Sequence, residues 1–106
     1  MPKKLRPIHP GEDLKEIMAD HGLSMNQLAK ALHVPANRIT AIVNGTRGIT
    51  GETALRLARY FGTSPQCWMN LQGHYDLEVA RDEFEAAIRK SVKPRPDLPA
   101  AIPGEI

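Results

Sequence analysis

The chain has 106 residues, a net charge of +2, few aromatic residues and one cysteine, Cys67. This length fits a single domain with a small aliphatic core, and a lone cysteine excludes an internal disulfide. No apolar run is long enough to cross a membrane, and the basic start of the chain lacks the apolar stretch of a secretory signal. We therefore expect a cytoplasmic protein that does not associate with membranes.

The turn signals divide the first half of the chain into three helices, and no segment has the alternation of a strand. Pro10 opens the first helix, and Gly22 ends it. Ser24 caps the second helix, and Gln27 completes a capping box three residues later. The third helix follows Pro35. These signals predict an all-α fold.

Two more helices follow. Thr50 caps the fourth, and Ser64 caps a longer fifth helix that could bend at Gly73. After it the chain becomes rich in proline, which removes amide donors and forbids a regular helix. We therefore predict one helical domain over residues 1–90 and a flexible proline-rich tail over residues 91–106.

The outward face of the third helix lacks the charged residues of an ordinary solvated helix. At about 100° per residue, Ile39, Ile42 and Val43 point inward. The opposite face carries small and mostly uncharged side chains, with an arginine on its flank: Asn37, Thr40, Ala41, Asn44 and Arg38. An asparagine can pair with the edge of adenine, and a threonine can contact the methyl group of thymine. This face is therefore predicted to read bases in the major groove.

The second and third helices together resemble a helix-turn-helix over about residues 24–45. Amide groups at a helix start attract phosphate, which places Ser24 and Asn26 beside the DNA backbone. Thr46 and Arg47, just past the third helix, could hold the backbone on the other side. The same pattern is open to a second interpretation, a helical hairpin whose polar face binds nothing.

Charge is distributed unevenly along the chain. Residues 24–62 contain five lysines and arginines and one acid, Glu52, whereas acids dominate residues 11–21 and 76–85. A basic centre suits a polyanion, and acidic flanks would suit a basic protein partner. A chance distribution and an ordinary solvated surface remain the alternatives.

The fifth helix has an apolar stripe at helical spacing, formed by Trp68, Leu71, Tyr75 and Val79. A stripe of this kind usually faces the protein's own core. A helix-turn-helix protein, however, reads two half-sites only as a dimer, so part of the stripe is also a candidate two-fold interface.

We predict no metal, no cofactor and no enzymatic activity. The four histidines lack the close spacing of a zinc motif, and Cys67 has no CxxC partner. The acids of the fifth helix are too evenly spread for a convergent catalytic set.

Several short sequences resemble the XRE/Cro-like helix-turn-helix family and, more narrowly, the HigA (VapI-type) antitoxins of bacterial toxin–antitoxin modules. They are "RPIHPGE" at residues 6–12, the Leu-Ala and Leu-Val pattern of residues 28–34, the pattern of residues 38–62 that runs from Arg38 through Gly45 and Arg47 into "ITGETALRLARYFG", and the Trp-Leu-Gln-Tyr-Asp-Leu pattern of residues 68–77. The resemblance covers about residues 6–77. One departure is His33, which stands where the family often has glycine.

The resemblance implies a five-helix, λ-repressor-like homodimer that represses its own operon by binding double-stranded operator DNA. It also implies a complex that neutralises a RelE-like (HigB-type) mRNA-endonuclease toxin. The base-reading role carries onto Ala36, Asn37, Arg38, Thr40 and Ala41, and the backbone-contact role onto Asn26, Gln27, Asn44, Thr46 and Arg47. Two alternatives remain: a free-standing repressor of the same fold without a toxin partner, and an inhibitor that keeps the fold but does not bind DNA.

Overall fold

The computed structural model describes residues 6–97, and all of the regular structure in that range is helical. Five helices follow one another: α1 (Pro10–Asp20), α2 (Met25–Leu32), α3 (Ala36–Val43), α4 (Gly51–Phe61) and α5 (Pro65–Ser91). No strand occurs between residues 6 and 97. The predicted all-α, five-helix fold is confirmed.

Side chains that precede the helices fix where α2, α4 and α5 begin. Ser24 Oγ accepts a hydrogen bond from the Gln27 amide at 3.1 Å, and Gln27 Oε1 accepts one from the Ser24 amide at 2.8 Å. Thr50 and Ser64 each accept a bond from the amide three residues further on. The predicted caps are thus confirmed, because such bonds join only near neighbours in sequence.

The chain turns between α2 and α3 at His33. Its backbone is left-handed, with φ 60° and ψ 47°, and its amide donates a hydrogen bond to the Lys30 carbonyl at 3.2 Å. This region is costly for a residue with a Cβ atom, which is why glycine favours it. Here a histidine adopts the left-handed conformation, so the turn forms without a glycine.

The core lies where α1, α2, α3 and α4 meet the first turns of α5. Its fully buried aliphatic side chains come from all four shorter helices: Leu14, Leu28, Ile39, Ile42 and Leu57. Burying one such side chain contributes about 1.5–3 kcal/mol to stability. The inward face predicted for α3 is therefore correct, although Val43 is only half-buried.

The start of α1 lies directly against the end of α3. A Cβ atom on Gly11 would overlap the carbonyl oxygen of Ile42 and lie 2.8 Å from its carbonyl carbon. His9 Nδ1 accepts a hydrogen bond from the Gly11 amide at 2.8 Å, and its ring packs edge-on against Tyr75 of α5 at 4.8 Å between centroids. Only glycine lets the two backbones approach this closely.

The helix α5 packs against α1 and α4 and continues through Gly73 to Ser91. The helix ends at Ser91, the first residue of the predicted tail. From Arg81 onward every described residue is exposed, so the second half of α5 projects beyond the bundle. Residues 92–97 follow as exposed, non-helical chain, and residues 98–106 lie outside the described range. The flexibility of the tail stays a prediction.

Candidate nucleic-acid interface

The α2 and α3 helices form the predicted helix-turn-helix, joined by the three residues His33–Pro35. Ile39 and Ile42 anchor α3 from beneath, and both are fully buried. Ala36 and Asn37 on the other side are exposed. The outer face of α3 is thus uncovered by the described chain, as a helix that enters the major groove requires.

The other predicted base-reading residues differ in how freely their side chains can move. Ala41 and Thr40 are half-buried. The Thr40 hydroxyl donates a hydrogen bond to the Ala36 carbonyl at 3.2 Å and lies 3.4 Å from Met25 Sδ. Its methyl group and oxygen lone pairs therefore remain for a base, but its proton is committed within the chain.

Arg38 is held back against α4. Its side chain is 19% exposed, and its Nη1 donates a hydrogen bond to Glu52 Oε1 at 3.3 Å. Glu52 is also bound by Arg56 of its own helix. The hydrogen bond from Arg56 and then the charge of Arg38 lower the pKa of the Glu52 carboxyl below its ordinary value. Base reading by Arg38 would require it to leave this ion pair.

The predicted phosphate-binding residues at the start of α2 are all exposed. The capping box occupies Ser24 Oγ and Gln27 Oε1, so a phosphate contact by Gln27 would come from its amide NH₂ group. Asn26, in the first turn of the helix, carries no such restriction from the cap. The free amides of this turn add the partial positive charge of a helix start.

The residues beyond α3 that are predicted to contact the DNA backbone differ in how many hydrogen-bond donors they have free for a phosphate. Asn44 and Arg47 are exposed. The Thr46 hydroxyl donates to the Ala41 carbonyl at 3.2 Å, next to the Thr46 amide, which donates to the same oxygen at 2.9 Å. Thr46 therefore caps the end of α3, and the geometry favours Asn44 and Arg47 as the donors to phosphate.

One residue that holds this loop was not predicted from the sequence. Gln72 of α5 accepts a hydrogen bond from the Ile49 amide at 2.7 Å and donates one to Asp76 at 3.0 Å. A Cβ atom on Gly48 would lie 3.0 Å from the Gln72 carboxamide, so the loop packs closely on it. The Gln-x-x-x-Asp spacing within α5 was the only available signal, because the loop is far away in sequence.

Replacing Gln72 with alanine is expected to lower the free energy of unfolding by about 1–3 kcal/mol, because the Ile49 amide loses its acceptor. Urea unfolding followed by circular dichroism measures this change. Asn70→Ala is the matched control, since Asn70 is an exposed amide of the same helix that bonds only Gln66 among the described residues. Equal losses in the two variants would show that Gln72 does not fix the loop.

The apolar stripe predicted for α5 faces mainly inward. Trp68 is 2% exposed, and its Nε1 donates a hydrogen bond to Thr63 Oγ1 at 2.9 Å. Leu71, Tyr75 and Val79 are half-buried. Trp68 therefore has almost no surface left to contribute to a dimer, and a two-fold contact by this stripe would have to come from the other three residues.

A second apolar stripe lies on the opposite side of α5. Leu77, Phe84 and Ile88 are 57%, 53% and 52% exposed. At about 100° per residue these three positions fall within about 40° of one another, whereas Leu77 and Val79 lie about 160° apart. Large apolar side chains exposed on one face of a projecting helix are typical of a protein contact surface.

The part of the chain that the structure describes contains neither a metal-binding cluster nor a membrane-spanning helix. Between residues 6 and 97, no three histidine, cysteine, aspartate or glutamate side chains come close enough together to hold a metal ion. None of the helices α1 to α5 is both long and apolar enough to span a bilayer.

Comparison with known proteins identifies the fold that carries this surface as a helix-turn-helix. A family model described as helix-turn-helix matches residues 14–66. Virulence-associated protein I of Dichelobacter nodosus is 54% identical over 80 residues, which are 74% of each chain.

Solved structures are similar over most of the chain. An addiction module antidote protein of the HigA family from Coxiella burnetii is 52% identical, and the match covers 86% of this chain and 100% of that one with a TM-score of 0.81. The antitoxin HigA of Pseudomonas aeruginosa, solved with the higBA promoter, is 44% identical, with 84% and 98% of the two chains covered and a TM-score of 0.82.

Proposed function

The chain belongs to the helix-turn-helix family of the HigA-type antitoxins, and on that basis we propose that it binds operator DNA through α3, represses its own operon and neutralises a RelE-like toxin. The observation that carries the DNA-binding part is the uncovered, mostly uncharged face of α3 above two fully buried isoleucines. Action on an operator places the protein in the cytoplasm.

The surroundings of α3 support this proposal. Exposed polar side chains lie at the start of α2, Asn26 and Gln27, and just past the end of α3, Asn44 and Arg47. Contacts to phosphate fix the register of a protein on DNA, and contacts to base edges supply its sequence preference. We assign the first role to these residues and the second to Asn37, together with Ala36, Thr40 and Ala41.

Two substitutions test the division of roles. Asn37→Ala should weaken binding to the DNA upstream of the protein's own operon by about 1–3 kcal/mol and change binding to random DNA far less. Arg47→Ala should weaken binding to both DNAs alike and reduce the slope of log K against log salt by about 1. Fluorescence anisotropy across a salt series measures both, with Asn70→Ala as an exposed control on α5. An equal loss on both DNAs for Asn37→Ala would make Asn37 a positioning residue.

We further propose that the protein is a homodimer and that the projecting half of α5 contributes to its interface. An isolated helical segment of this length is marginal in water unless an apolar face is covered. The exposed stripe of Leu77, Phe84 and Ile88 provides such a face. Two copies are also what a helix-turn-helix needs to read two half-sites.

Replacing Phe84 and Ile88 together with serine should shift the protein toward monomer and raise the dimer dissociation constant by at least about tenfold, because apolar area is lost from both partners. Analytical ultracentrifugation over a concentration series measures this constant. Val92→Ser is a control at an exposed apolar residue that lies just past the helix. A double variant with unchanged association would place the interface elsewhere, with Leu71, Tyr75 and Val79 as the next candidates.

The toxin contact is proposed on the acidic surfaces of α1 and α5. Enzymes that cleave RNA need cations for their substrate, so an acidic inhibitor surface would be electrostatically complementary. Co-expression with the neighbouring reading frame and co-purification of a complex test this part. If the neighbouring product is not a basic RelE-like protein, or does not co-purify, the protein is a free-standing repressor.

A further inference from the structure

The carboxylate of Glu52 joins two guanidinium groups from two helices. Arg38 of α3 donates to its Oε1 at 3.3 Å, and Arg56 of α4 donates to its Oε2 from Nε at 3.2 Å and from Nη2 at 2.9 Å. Arg56 Nη1 also donates to the Leu32 carbonyl at the end of α2, at 2.8 Å. One acid therefore links the helix that faces DNA to the two helices beside it.

The two arginines are held unequally. Arg56 uses three of its nitrogens in hydrogen bonds of 3.2 Å or less. Arg38 makes one bond at 3.3 Å, and its buried Nε finds no hydrogen-bond partner among residues 6–97. Since a buried donor without an acceptor is destabilising, the resting position of Arg38 is the weaker of the two. Of the two arginines bound to Glu52, Arg38 is therefore the one that requires less free energy to leave.

If Arg38 left, the negative charge of Glu52 would still be paired with Arg56. Arg56 occupies the other carboxylate oxygen and keeps an opposite charge within 2.9 Å. This matters beside DNA, because an unpaired carboxylate would repel phosphates. Glu52 is the only acid between His21 and Tyr75 in the sequence, so it is the one negative charge in the basic centre of the chain.

Arg38 occupies the third position of α3, one residue after Asn37. A guanidinium group at such a position can pair with guanine through two hydrogen bonds or contact a phosphate. In the free protein it does neither, because its side chain is turned toward α4 and is mostly buried. Binding to DNA through Arg38 is therefore an exchange of one anion for another.

We propose that Glu52 is an internal competitor of DNA for Arg38: it holds the side chain in the free protein, and only DNA that places a base edge or phosphate to accept two of the guanidinium N–H groups displaces it. This rests on the proposed DNA-binding function and adds a residue that makes no contact with DNA itself. Random DNA, which leaves the ion pair intact, is then bound by one cation fewer than the operator, and the affinity for the operator is lowered by the free energy of the broken ion pair.

Glu52→Gln tests the proposal. Loss of the charge should free Arg38 and raise the affinity for operator DNA by about threefold to fivefold, because the ion pair no longer has to be broken on binding. Affinity for random DNA should rise by less, and its salt slope should steepen by about 1, because one more phosphate is neutralised. Glu85→Gln is the matched control: it removes the same charge from an ion pair on the projecting half of α5.

The same substitution in an Arg38→Ala background separates release of Arg38 from general electrostatics. There, Glu52→Gln should no longer change the salt slope on random DNA. An equal gain on random and operator DNA, a gain that persists without Arg38, or no gain at all would each overturn the proposal. Thermal melting of every variant establishes that the folded state is the one compared.

A measurement on the unsubstituted protein completes the test. The Arg38 Nε–H resonance should exchange slowly with solvent in the free protein and with random DNA, and shift on addition of operator DNA. A resonance unchanged by the operator would overturn the proposal even though the operator binds. If no DNA is preferred over random DNA, the proposed function fails instead, while slow exchange in the free protein and its loss in Glu52→Gln would still report the ion pair.

Discussion

Replacing Gly11 with alanine is expected to lower the free energy of unfolding by about 3 kcal/mol or more. The added Cβ atom would overlap the backbone of Ile42, and a carbonyl group in a helix cannot turn aside as a flexible side chain can. α1 would have to move away from α3 and would take the cap formed by His9 with it. Urea unfolding followed by circular dichroism measures the loss.

Gly73→Ala is the matched control. Nothing lies within 4 Å of a Cβ atom at Gly73, and the residue is inside a helix. The same substitution should therefore stabilise the protein, by about 0.5–1 kcal/mol, because alanine is the better helix former. A Gly11→Ala protein as stable as Gly73→Ala would show that α1 and α3 are not in backbone contact.

Trp68→Ala is expected to lower the free energy of unfolding by about 3–5 kcal/mol, because it empties a large site in the core. The loss should not depend on protein concentration, since Trp68 is buried within its own chain. Trp68→Phe should retain most of the stability, because it keeps an aromatic ring but loses the hydrogen bond to Thr63.

Leu77→Ala provides the contrast on the opposite face of α5. Leu77 is exposed in the single chain, so its replacement should change stability by about 0.5 kcal/mol or less under conditions in which the protein is monomeric. If Trp68→Ala weakened self-association without destabilising the fold, Trp68 would belong to an interface and not to the core.

The features that could be predicted from the sequence are those fixed by near neighbours. The capping box of Ser24 and Gln27 joins residues three apart, and the inward face of α3 follows from the spacing of Ile39 and Ile42. In each case a short segment contains both the cause and the result.

The rest depended on contacts between residues distant in sequence. Helical spacing identified the stripe that contains Trp68, but it gives no preference between that stripe and the one that contains Phe84, because only packing against α1 and α4 decides which face is buried. The pairing of Arg38 with Glu52 spans 14 residues, and that of Ile49 with Gln72 spans 23. No local pattern brings such residues together.

The unbroken course of α5 has a mechanical consequence. Gln72, which holds the loop that carries Arg47, and Phe84, on the proposed contact between copies, are joined by one rigid rod about 18 Å long with no flexible linker. In a dimer, the distance between the two copies of α3, and hence the length of operator that they could span, would be set by the length of that rod and by the direction in which its outer stripe faces. One inserted residue would rotate the outer stripe by about 100°, whereas seven would nearly restore its direction.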